Sequence, residues 1–84
     1  SNVETLYKLA DNKAEALEFY VRDNAKLLGT PLEKLKLKTN LLVSCINRKG
    51  KIIIPNGQSS IHVGDTVIIV TTNKGLNDLN DILL

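Results

Sequence analysis

Aromatic residues are scarce in this chain, 4% of 84 residues with no tryptophan and a single phenylalanine, and charge of one sign is scarce as well, the net value being +2. Three aromatic side chains cannot build a stacking platform for single strands, and lysines interspersed with acids leave no cationic stripe for a duplex. Nucleic acid is therefore not an expected partner. Cys45 is the only cysteine and His62 the only histidine. That excludes an internal disulfide and a structural zinc site of the usual four thiolate or imidazole ligands. No apolar run approaches the roughly 20 residues that span a bilayer. No secretory leader pattern opens the chain, and with one lone thiol the expected compartment is the reducing cytoplasm. No methionine opens it either; Ser1-Asn2 reads as a cloning remnant ahead of one domain, residues 3–84. Repeats and low-complexity linkers are absent too.

What remains is ordinary for a globular fold, 43% apolar and 24% charged residues. A core built from fewer than about 80 residues seldom leaves more than roughly 3–5 kcal/mol of net stability, so association with a partner is expected to help.

VETLYKLADNKAEALEFYV, residues 3–21, alternates in both halves, with Leu17, Phe19 and Val21 on one face of the second. The alternation predicts a hairpin turning at Asp11-Asn12-Lys13, although Ala14 to Glu18 are also good helix formers and a helix stays open. Asn24 is placed to cap a short turn that ends at Gly29. Thr30-Pro31-Leu32-Glu33 has the form of a capping box and predicts a short helix after the first hairpin. Leu41 to Asn47 and Lys51 to Ile54, joined at Arg48-Lys49-Gly50, predict a second hairpin. Pro55 stops that strand, Asn56-Gly57 and Gly64-Asp65 are turn pairs, and Thr66 to Thr72 is a strand apolar on both faces. Asn73 is expected to cap a C-terminal helix that presents Leu76, Leu79, Ile82 and Leu83 on one stripe. The fold class expected is α/β in the α+β sense: a small mixed sheet with two hairpins, a short helix and a terminal helix.

Pro55-x-Gly57, six residues, Gly64-Asp65 and the run Thr66 to Val70 together resemble the RCK C-terminal, or TrkA-C, domain family. LYKLADNKAEALEF and LLVSCINRKGKIIIP resemble the same family in the same order, so the likeness runs from Val3 to Leu84. The resemblance implies a homodimeric regulatory domain hung from an N-terminal Rossmann RCK domain, within a cytoplasmic ring that gates a membrane potassium transporter. No Gly-x-Gly-x-x-Gly follows a strand here, so a nucleotide of the Rossmann part has no site in these residues. Some domains of the family bind a cyclic dinucleotide at the dimer interface. Cyclic di-AMP or another small anionic effector is accordingly the ligand class to consider, and no other cofactor or metal is expected.

Three residues could meet such a ligand. His62, of the one residue type whose unperturbed pKa lies near neutrality, could hold a phosphate, or simply be solvated. Arg48, crowded with Lys49 and Lys51, could grip an anion, or be a charged turn. Asn24, opening a helical turn, could offer backbone amides to a phosphate, or only cap it. Pro55, Gly57, Gly64 and Asp65 read as turn chemistry, and Cys45 as a small core residue. Ser59, Ser60, His62 and Asp65 contain the types of a serine triad, but no nucleophile elbow surrounds them, and catalysis is not expected.

Overall fold

The computed structural model describes residues 3–84; the expected cloning remnant lies outside them. Five strands, β1 (Val3–Leu9), β2 (Ala14–Tyr20), β3 (Leu41–Arg48), β4 (Lys51–Ile53) and β5 (Thr66–Thr71), form one sheet in the order β1-β2-β5-β3-β4. Both predicted hairpins are present. The first turns through Ala10, Asp11 and Asn12, all with positive φ, a conformation that Asp and Asn tolerate. The second turns at Lys49 (φ 53°) and Gly50 (φ 81°), the doubly left-handed geometry that suits a two-residue loop. Between the described strands every pairing is antiparallel, so the sheet is not mixed. A parallel contact occurs at an isolated bridge, Leu28 to Ile61.

The ladder registers arrange the side chains in rows. Leu6, Leu17, Ile69 and Val43 form one row of the inner face, and Phe19, Val67, Ile46 and Ile53 the next. Ala25, Leu27, Ile61, Leu76, Leu79 and Ile82, from the connections and the C-terminal segment, close the core over these rows. β5 is central, as its apolar run requires. Its second face, however, is not covered.

No α-helix occurs among the described residues. The expected short helix is a single 3-10 turn, Leu32–Lys34, preceded by Pro31 and without a side-chain cap bond, so the Thr30 capping box does not form. The expected C-terminal helix is likewise one 3-10 turn, Leu79–Ile82, and its cap is Asp78, reciprocated by Asp81, rather than Asn73. Asn73 instead donates its backbone N–H to Thr71 Oγ1 and its Nδ2 to the Thr39 carbonyl. The physical reason is competition for the tail. Lys38 N–H donates to Ile82 O at 2.8 Å and Leu84 N–H to Lys36 O at 2.9 Å, and Gly75 turns the chain with φ 81°. Leu76, Leu79 and Ile82 are buried as the stripe implied, on a different backbone.

Candidate functional site

Arg48 closes β3, and its place follows from the register. Ile46 faces Val67 across the β3–β5 ladder, so two residues further out Arg48 comes opposite Asp65, on the inner face. The guanidinium meets the carboxylate side on. Nε donates to Asp65 Oδ1 and Nη2 to Oδ2, each at 2.9 Å, and Nη2 also donates to the Ser60 carbonyl at 2.9 Å. Asp65 is 1% exposed and also accepts the His62 backbone N–H at 2.9 Å. Asp65 is therefore a buried ion-pair partner in addition to a turn residue. Gly64 supplies the turn itself with φ +90°, while Gly57 is needed for space, since a Cβ there would come within 2.8 Å of Glu33 Oε2. Pro55 ends β4 and is followed by an Asn56–Ser59 turn, in which Asn56 Oδ1 accepts the Gln58 N–H.

Burial alone would raise the Asp65 carboxyl, but the Arg48 hydrogen bond, the His62 N–H and the nearby positive charge outweigh it and hold the group below its ordinary value. The hydrogen bond to Asp65 in turn raises Arg48. In the unfolded chain the carboxyl titrates near about 3.9, so as pH falls the unfolded chain takes up this proton first. The stabilisation is thus complete above about pH 5 and disappears as pH falls through the lower value in the folded state. Urea midpoints measured from neutral to strongly acid pH should begin to fall below about pH 5 in the wild type. In Asp65→Asn the midpoint should start lower and change less.

A cleft of about 260 Å³ lies over this pair, lined by Arg48, Lys49, His62, Val63, Gly64 and Asp65. His62 Nε2 stands 3.0 Å from Ser60 Oγ, an exposed contact. Two of the three candidate ligand residues, Arg48 and His62, thus share one cleft, with Lys49 beside them. Asn24 does not line it. Residues 24–29 form turns rather than a helix start, and Asn24 uses its carbonyl as an acceptor for Asn80 Nδ2 at 3.5 Å. The Asp65 carboxylate reaches the backbone N–H of His62 and the Arg48 guanidinium, so it does not orient the imidazole as a triad acid would. A larger depression, about 400 Å³, opens between Lys38, Thr39, Asn73, Lys74, Leu76 and Leu84. Its Lys74 is already committed, donating to the Asn12 carbonyl and lying 3.9 Å from Glu15 Oε2. Groups of His, Cys, Asp and Glu fit to hold a metal are absent among the described residues.

Comparison with known proteins agrees with this architecture. A Trk system potassium uptake protein TrkA homolog 2 from Methanosarcina mazei is 30% identical over 77 residues, covering 92% of this chain and 17% of that protein. A TrkA homolog from Pyrococcus abyssi is 32% identical over 71 residues, 83% of this chain and 31% of that protein. The chain therefore spans less than a third of either relative. A solved structure described as "Structure of RCK domain with cda" shares the fold, with a TM-score of 0.58 at 23% identity over 70% of this chain and 81% of that one. The TrkA-C domain model matches residues 16–84, from the middle of the first hairpin to the last residue, and the chain belongs to that family.

Proposed function

We propose that this chain is the regulatory domain of a Trk-type potassium uptake protein, working as a homodimer at the cytoplasmic face of a membrane transporter and altering its gating when a small anionic effector binds. An N-terminal Rossmann RCK domain of the full-length protein would carry the signal onward. The carrying observation is the cleft rimmed by Lys49 and His62 over the Arg48–Asp65 pair. At about 260 Å³ it is smaller than the roughly 300–1,000 Å³ of a site for a drug-sized ligand. Two such clefts related by a two-fold axis suit a two-fold symmetric anion, and cyclic di-AMP is the effector of choice. An RCK domain of like fold solved with cda supports the choice.

The engagement of Arg48 by Asp65 favours a second reading, a dimerising and coupling module with no ligand of its own. Arg48 has already spent most of its donors on Asp65 and Ser60. Calorimetric titration of the purified domain with cyclic di-AMP, with linear adenine nucleotides as controls, separates the two. Saturable heat at one ligand per dimer, lost in Lys49→Ala/His62→Ala, is the expected result. No heat and no thermal stabilisation at hundreds of micromolar would leave only the coupling role.

A further inference from the structure

Asn56 is the one asparagine in the chain that precedes a glycine, and it is exposed just beyond the end of β4. A tight polar turn holds it. The Ser59 N–H donates to the Asn56 backbone carbonyl at 3.0 Å, and the Asn56 N–H donates to Ser59 Oγ at 3.0 Å. The side-chain oxygen Oδ1 accepts twice, from the Gln58 N–H at 2.9 Å and from the Ser59 hydroxyl at 3.4 Å. The first of these bonds is the one that defines an Asx turn. The second adds another donor to the same oxygen. Among the described residues nothing binds the amide nitrogen Nδ2, and nothing accepts the Gly57 N–H.

These are the parts of an intramolecular acyl transfer. The nucleophile is Gly57 N, which gives its proton to a solvent base and attacks Asn56 Cγ. The new C–N bond closes a five-membered succinimide, while Nδ2 takes up a proton and leaves as ammonia. Water then opens the ring. Addition at Cγ breaks the bond just formed and leaves aspartate; addition at the backbone carbonyl breaks the original peptide bond and leaves isoaspartate. One water enters and one ammonia departs, with no change of oxidation state. Negative charge develops on Oδ1 as the nitrogen adds, and the Gln58 N–H and the Ser59 hydroxyl are already aimed at that atom, as the donors of an oxyanion hole would be. Glycine at the next position puts no Cβ in the path of the attack.

We propose that Asn56 is a self-modifying site, at which the native turn itself promotes cyclisation and conversion to aspartate and isoaspartate, with Gln58 and Ser59 as the assisting donors. The structural consequence is local and definite. Gly57 O accepts the Glu33 N–H at 2.9 Å and Ser59 O accepts the Leu32 N–H at 2.8 Å, so this turn anchors the Leu32–Lys34 3-10 turn. Isoaspartate inserts a methylene into the backbone between residues 56 and 57 and shifts both acceptors. Aspartate keeps the backbone but brings a second carboxylate into the depression that Asn56 shares with Glu33. Either product lowers the net charge of +2 by one unit.

Peptide-resolved mass spectrometry tests it on the wild type, Ser59→Ala and Asn56→Gln, each aged at mildly alkaline pH in buffer and in guanidinium. In buffer the wild type should convert at Asn56 before any other asparagine, with isoaspartate among the products, and at least as fast as in guanidinium. Ser59→Ala, with the same sheet by circular dichroism, should convert about fivefold more slowly in buffer, the rate equivalent of one ordinary hydrogen bond, and at an unchanged rate in guanidinium. Asn56→Gln, whose ring would have to be larger, should stay intact. Amide exchange at Leu32 and Glu33 should quicken as isoaspartate accumulates. Conversion that is slower in the folded chain than in the unfolded one would overturn the proposal, as would a Ser59→Ala rate equal to that of the wild type in buffer.

Discussion

Arg48→Ala is expected to lower the unfolding free energy by about 3–5 kcal/mol, the usual consequence of leaving a buried charge without its partner. Asp65 would keep the His62 N–H but lose both guanidinium bonds at 1% exposure, with no second salt bridge to replace them among the described residues. In a domain whose whole stability is of the order of 3–5 kcal/mol, most molecules would be unfolded. The check is a urea titration at neutral pH with the paired variant Arg48→Met/Asp65→Leu alongside. Removing both charges together should cost much less than removing one, because the penalty comes from the orphaned carboxylate rather than from a lost attraction. The pair therefore serves the fold first. It joins the end of β3 to the start of β5 and pins the 60–65 segment, and it thereby forms the floor of the cleft that His62 and Lys49 rim.

Phe19→Ala is the second large effect. The ring is fully buried, flanked in its row by Val3 and Val67. Truncating a buried phenylalanine costs about 3–5 kcal/mol through lost transfer energy and the cavity left behind. The expected outcome is a domain with no cooperative thermal transition by circular dichroism, recovered in part by Phe19→Leu. A well-folded alanine variant would mean that the cover formed by residues 22–40 and 72–84 is loose enough to collapse onto the sheet.

The strands were legible because their residues are constrained twice, by the period of two and by β-branching. Leu17, Phe19 and Val21 alternate inward as the sequence says, and each hairpin loop contains residues that permit positive φ, Asp11 and Asn12 in the first and Gly50 in the second. The helices were misread for a definite reason. Leu76, Leu79 and Ile82 are spaced by three, as are Leu32 and Leu35, and a three-residue period fits a 3-10 turn at least as well as an α-helix. The apolar residues were right and the backbone was not. Cys45 was misplaced because a β-bulge at residue 44 reverses the alternation, and nothing in LLVSCIN announces it.

The site was half legible. His62 and Arg48 were named for their chemistry, and the cleft brings them together; Asn24 depended on a helix that does not form. The Arg48–Asp65 pair could have been found by parity alone. Ile46 and Val67 are inward-facing neighbours, Arg48 lies two beyond the first and Asp65 two before the second, so an antiparallel ladder must set them opposite each other. The open face was also implied by Val67-Ile68-Ile69-Val70, which demands cover on both sides.

Potassium uptake by cells expressing the full-length protein tests the central claim most directly, with Lys49→Ala/His62→Ala introduced and protein abundance controlled. If this domain regulates a transporter, the change should abolish the response to effector while leaving basal uptake. Uptake indistinguishable from wild type, at equal abundance, would contradict a regulatory role for these residues.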